Sequence, residues 1–324
     1  MNNNNIDTQN QSENNPNKFQ NVPTMSPTKA AVLGLIAVFF IFQFGGGLLA
    51  LGIFGFDIKN ADMNLMRLLT IGSQILFILF PAILFSKLVF IDVTSIVRFR
   101  MPNPKEVGIF ALGLIILMPL LQEYLHVQNY LINELSQSSL FVEGIKNFLD
   151  ELDKYVEESY MQLLTGNNIF EIILIIITVS ITPAICEEFF FRGFVQKSFE
   201  YKLKPLTAIF ITSFFFGIYH FNPYGLIPLI LLGMYLGFSI YLSNSIIVPI
   251  ILHFLNNFIS IFAFFIFGED ELMQSNFVDS EGINTQIIVL ILLLVLFSAF
   301  VFYVKKNYTK FTNNEEVQND LPKL

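Results

Sequence analysis

The chain has little of what a soluble or secreted protein relies on. Charged residues fill only 14% of its 324 positions, against about 25% in an average soluble domain. A core wrapped in a charged surface is therefore excluded for most of its length. Cys186 is the only cysteine, which excludes an intrachain disulfide and any metal site built on paired cysteines. No H-E-x-x-H is present, so the usual helical zinc-protease motif is missing. No lysine and arginine block is dense enough to mark nucleic-acid binding, and no nucleic-acid partner is expected. The first residues lack the basic start and early apolar run of a cleaved signal peptide. The first apolar span is accordingly expected to remain as an anchor.

What is present is apolar surface. Hydrophobic residues make up 54% of the chain, and phenylalanine alone occurs 38 times. Runs of about 18 or more such residues with few charges read as membrane spans. Eight are predicted, over residues 30–55, 68–91, 108–126, 169–199, 206–221, 226–242, 246–267 and 286–304. The expected fold class is all-α, a polytopic membrane helix bundle of about eight transmembrane helices. Residues 1–28, rich in Asn and Gln, read as a disordered polar tail. Residues 29–126 carry the N-terminal spans, 127–168 an extracytoplasmic amphipathic loop, 169–267 the polar-bearing core, and 268–324 the last span and C-terminal tail.

The net charge of −8 says little by itself, because the acids sit in a few loops. Glu143, Asp150, Glu151, Asp153 and Glu157 lie in the 127–168 loop, and Glu269, Asp270 and Glu271 lie in the 268–285 loop. Lys87, Arg98 and Arg100, then Lys197, Lys202 and Lys204, then Lys305 and Lys306 mark the alternate connections. Basic connections face the cytoplasm. Eight spans with both termini cytoplasmic, in a cell-membrane protein, satisfy this alternation. In the 127–168 loop, Leu131, Leu135, Phe141, Ile145, Phe148 and Leu152 recur at near-helical spacing among acids. One or two amphipathic helices on the outer membrane surface are predicted there.

Ionisable groups inside a span cost several kcal/mol unless paired or facing an internal cavity, and by default they point to a function. The fourth span holds Glu187, Glu188 and Arg192, the fifth Phe216 and His220, the seventh His253 and Asn257. Glu188 and Arg192 are four apart and share a helix face. Glu187 points about 100° away. His253 and Asn257 are again four apart. Counted from the turn at Lys202–Pro205, Glu187 and His220 are each about 16 residues along their helices, at matching depth. A carboxylate beside an imidazole can activate water, and amide or imidazole donors can hold an oxyanion. Alternatively His220, His253 and Glu187 are candidate ligands for Zn2+, with one position open for water. Both routes end in hydrolysis. Structural readings stand beside these: Glu188–Arg192 as a buried pair, the histidines and Asn257 as interhelical glue, His126 with Glu123 as a polar helix end.

These motifs, Glu187-Glu188…Arg192, Phe216…His220 and His253…Asn257, resemble the E-E-x-x-x-R, F-x-x-x-H and H-x-x-x-N of the CPBP intramembrane protease family. That family includes CAAX prenyl endopeptidases and bacteriocin-processing proteins. The resemblance covers about residues 165–265. It implies that Glu187 and His220 activate water, that Glu188 and Arg192 orient the site, and that His253 and Asn257 stabilise the oxyanion, with either a zinc-dependent or a metal-free route. The implied activity is an intramembrane endopeptidase acting on membrane-embedded or lipidated peptides or proteins, with the bilayer as its surroundings. The rival reading is a non-proteolytic membrane module, a bacteriocin immunity factor or a transporter-like ligand binder, although no internal repeat of the transporter kind is visible.

Overall fold

The computed structural model describes residues 23–55, 61–90, 93–274 and 282–312. The polar tail up to residue 22, residues 275–281 of the acidic loop and the tail from residue 313 lie outside the described residues. Among the described residues all regular structure is helical. In chain order the helices are α1 Pro27–Phe54, α2 Met63–Val89, the short α3 Val93–Val97, α4 Pro104–Ser138, α5 Leu140–Leu164 and α6 Ile169–Glu200. There follow α7 Pro205–Tyr219, α8 Leu226–Ser243, α9 Ile247–Gln274 and α10 Ile283–Thr312. Seven of them, namely α1, α2, α4, α6, α8, α9 and α10, are long and apolar enough to cross a membrane.

The remaining apolar helix differs from its sequence expectation. The fifth predicted span, 206–221, is a helix of only 15 residues that ends at Tyr219. At 1.5 Å per residue it spans roughly 22 Å, short of the ~30 Å hydrocarbon core. The cause is local. Pro223 disfavours helical backbone at Asn222, and Phe221 already takes a left-handed φ of 50°. Gln43 of α1 then donates its side-chain amide to the terminal carbonyl of Tyr219 at 2.9 Å. The end of α7 is thus fixed from outside, with His220 as the first residue beyond it.

Two prolines are absorbed by widened helix turns. π-helical segments occupy Ile75–Leu79, just before Pro81, and Ile177–Ile181, just before Pro183. A proline inside a helix lacks an N–H and crowds the carbonyl four residues back, and a π turn gives that carbonyl room. A third π segment, Phe189–Gln196, follows Glu188 directly. Pro249 is the third residue of α9. N–H groups in a first turn have no intrahelical partner, so it forces no kink.

The helices pack around two apolar clusters. One gathers α1, α2, α6 and α7 around Leu35, Ile78, Phe190, Phe194 and Phe216. The other gathers α4, α8, α9 and α10 around Phe110, Leu117, Leu236, Leu252 and Val304. α6 belongs to the first and α9 to the second, so the polar residues they carry meet at the seam. Outward faces are apolar: Phe44 is 61% exposed, Leu48 67% and Phe302 68%. That pattern suits a bundle whose solvent is lipid rather than water.

Candidate active site

Glu187 and His220 meet. Nε2 of His220 stands 3.8 Å from Oε2 of Glu187, as equal counting from the α6–α7 turn predicts. The other ring nitrogen fixes the tautomer. Nδ1 lies 2.7 Å from the carbonyl of Phe216, and a carbonyl only accepts, so Nδ1 carries the proton. In the neutral ring Nε2 then presents a lone pair toward Glu187. Two acceptors 3.8 Å apart do not bond each other, but one water can donate a proton to each. Both side chains keep partial exposure, 31% for His220 and 13% for Glu187, while Oε2 itself is buried and without a hydrogen-bond partner among the described residues.

Glu188 has a different setting. It is fully buried, and its Oε1 accepts from Arg192 Nη1 at 2.9 Å and from His253 Nδ1 at 2.8 Å. Arg192, also fully buried, donates from Nη2 to the carbonyl of Gly233 on α8 at 3.2 Å. Its guanidinium stands 4.4 Å from the centre of the Phe216 ring, a desolvated cation–π contact. A buried charge needs this many partners to be tolerated in an apolar interior.

Asn257 does a local repair. Its Nδ2 donates to the carbonyl of Val179 at 3.0 Å. In a regular helix that carbonyl would bond the N–H of residue 183, which is proline and has none. The amide has a second N–H, and its Oδ1 accepts from Asn256 at 3.1 Å.

The six polar residues therefore form two adjoining groups rather than one. Glu187 and His220 form the accessible pair; Glu188, Arg192 and His253 form a dry ionic group, with Asn257 one turn further along α9. Phe216 joins them, its ring centre 4.7 Å from that of His220 and 5.8 Å from that of His253. Its motif position gave no hint of this bridging place, since an apolar residue on an apolar helix has no contrast to reveal it. Beyond these residues, the phenol of Tyr160 on α5 is pushed up to about 12 by burial and by the charge of Glu187. A tyrosine on an amphipathic helix far from every motif gives no local signal.

Other candidates stay apart. His126 pairs within its own helix, 3.2 Å from Gln122 Nε2 and 3.7 Å from Glu123. Cys186 is buried in the first apolar cluster. As potential zinc ligands His220, His253 and Glu187 do not converge: among the described residues no three His, Cys, Asp or Glu side chains are grouped to hold a metal ion. His253 Nδ1 is already committed to Glu188. No step below runs through a metal.

Residues 169–259 match the family model described as type II CAAX prenyl endopeptidase, Rce1-like. The match covers less than a third of the 324 residues, from the start of α6 into α9. All six polar residues lie within the matched segment, whereas α1 to α5 and α10 lie outside it. No curated protein and no solved structure matches the chain.

Proposed function

We propose that the chain is an intramembrane endopeptidase in which Glu187 and His220 activate a water molecule. The Glu187–His220 geometry carries this reading: two proton acceptors 3.8 Å apart, on side chains that keep partial exposure, with the Glu187 Oε2 buried and unpartnered among the described residues. The water oxygen attacks the scissile carbonyl carbon while its proton passes to the carboxylate or imidazole. That proton then goes to the nitrogen of the departing amine as the C–N bond breaks. The tetrahedral oxyanion is met by the second N–H of Asn257 and by His253 Nε2. His253 Nδ1 donates to Glu188, so His253 serves as an Nε2 donor only when its ring carries both protons. Glu188 and Arg192 hold His253 in place.

The Rce1-like match and the apolar surroundings support a membrane-embedded or lipid-modified peptide as the substrate class, reached within the bilayer of the cell membrane. The test uses purified protein in proteoliposomes with two probes, a quenched-fluorescent farnesylated C-terminal peptide and a quenched transmembrane peptide. Cleavage of either is expected, with Glu187→Gln and His220→Ala each lowering it at least about 100-fold. Cleavage that survives both substitutions would remove the assignment. If neither probe is cut and a cellular immunity phenotype survives Glu187→Ala, the non-proteolytic reading takes its place.

A further inference from the structure

Gln43 is the one polar side chain between Ala30 and Phe54. It sits mid-span in α1, a helix outside the matched segment. A polar group at that depth needs a partner, and the partner it takes adjoins the Glu187–His220 pair. Its side-chain amide donates to the carbonyl of Tyr219, the residue before His220, at 2.9 Å. Leu35, Phe39 and Gln43 are spaced four apart and share one face of α1. That face grips both neighbours of His220. The carbonyl of Leu35 accepts from the Tyr219 hydroxyl. The Phe39 ring lies 5.2 Å from the ring of Tyr219 and 5.7 Å from that of Phe221.

The last turn of α7 shows what this grip secures. The final four carbonyls of a helix have no partner within it. Here the backbone N–H of His220 bonds the carbonyl of Gly217 at 3.2 Å, and that of Phe221 bonds Ile218 at 3.1 Å. In a regular α-helical turn the N–H of His220 would take the carbonyl of Phe216 instead. The tightened turn leaves that carbonyl to the imidazole, whose Nδ1 donates to it at 2.7 Å. His220 and Phe221 thus take three of the four carbonyls, and Gln43 takes the fourth, that of Tyr219.

We propose that Gln43 is a positioning residue for His220, holding the last turn of α7 in the tightened form that presents Nε2 to Glu187; this rests on the endopeptidase reading. Without the amide, the Tyr219 carbonyl is orphaned in an apolar interior, and the turn relaxes toward regular helical bonding. The carbonyl of Phe216 then returns to the backbone N–H of His220. Nδ1 loses its acceptor, and the imidazole is no longer held in one tautomer or in its place 3.8 Å from Glu187. A helix outside the matched segment thereby sets the geometry within it.

The test has two arms on the full chain in proteoliposomes. With whichever quenched peptide the wild type cleaves, Gln43→Met, close in length but without a donor, is expected to lower kcat about tenfold with KM unchanged, the worth of one hydrogen bond. Phe44→Leu, on the outward side of the same helix, is the control and leaves both parameters unchanged. The second arm needs no activity. The chain has three histidines, so solid-state NMR with isotope-labelled histidine nitrogens resolves them, and the signal that vanishes in His220→Ala is that of His220. Wild type is expected to show His220 protonated at Nδ1, and Gln43→Met a mixture of tautomers. Gln43→Asn, whose amide falls one methylene short of the carbonyl, takes its place should the methionine variant not fold. Wild-type kcat in the folded variant overturns the inference. So does a lowered kcat with His220 still held in its Nδ1–H form, which would make Gln43 a fastener of α1 alone. A changed His220 signal in a chain whose parent cleaves neither peptide retains the hold of Gln43 on His220 and removes the endopeptidase reading.

Discussion

Glu187 and Glu188 are neighbours with opposite dependences. Glu188 is closed from solvent and neutralises Arg192 while receiving His253. Removing it leaves a buried guanidinium without its counter-charge, which costs about 3–5 kcal/mol. Glu187 faces His220 across 3.8 Å and accepts nothing at Oε2, so its removal forfeits no hydrogen bond there. Glu188→Ala is therefore expected to lower thermal stability steeply in detergent, with loss of folded yield. Glu187→Ala is expected to leave Tm within a few degrees while abolishing cleavage. Equal Tm in the two variants, measured by differential scanning fluorimetry on the purified proteins, would refute the division of labour. The residue types at the site were legible in the sequence, because charges inside apolar helices stand out against their background. The group that His253 joins was not. It depends on which way α9 is turned, and His253 reaches Glu188 rather than Glu187 only once three helices are docked.

At the scale of elements, the long helices could be read from apolar runs, but their ends and neighbours could not. α7 stops early at Pro223 and the left-handed Phe221, and Gln43, far away in sequence, caps its last carbonyl. The periodicity of α5 shows that it has an apolar face, not what that face touches. Its docking through Asp150 also gives it a pH dependence. Burial raises the Asp150 carboxyl, but hydrogen bonds from Lys146 and Tyr224 outweigh it and hold the carboxyl below its usual range. A lowered folded-state value means that the stabilisation is full above the ordinary aspartate range and is lost as pH falls through the depressed value. Hydrogen exchange of α5 amides is expected to accelerate on acidification through that range in the wild type, relative to α8. In Asp150→Ala it is expected to be fast already at neutral pH and to show no such step. Close packing makes a second prediction. A Cβ on Gly113 of α4 would fall 2.0 Å from the hydroxyl of Tyr235 and 2.4 Å from the Phe300 ring. That hydroxyl donates to the carbonyl of Phe110 at 2.6 Å. Gly113→Ala gains helix propensity of up to about 1 kcal/mol yet must displace both side chains at once. A net loss of about 1–3 kcal/mol is expected, visible as a lowered Tm; a raised Tm would show that the α4–α8 contact has slack.

For the whole molecule the open quantity is orientation, and it turns on α7. Seven helices are long enough to span; if α7 does not cross, the two termini lie on opposite sides. The loop charges favour a crossing, because Lys202 and Lys204 before α7 and Lys305 and Lys306 after the last span then face the same side as Arg98 and Arg100. Pairing consumes part of that charge, since Arg98 bonds Glu200 and Arg100 bonds Glu106, but the free lysines keep the sign. A helix of roughly 22 Å can cross where neighbours shield its ends and the bilayer thins locally. α7 is packed against α6 and α8, with Ala208, Ile209, Thr212 and Phe216 buried. Single cysteines at Thr24, Ser138 and Lys306, in a Cys186→Ala background, decide the matter with a membrane-impermeant maleimide applied to intact cells. Ser138→Cys is expected to be labelled from outside, while Thr24→Cys and Lys306→Cys react only after permeabilisation. Labelling of one terminus but not the other would mean that α7 turns back inside the membrane.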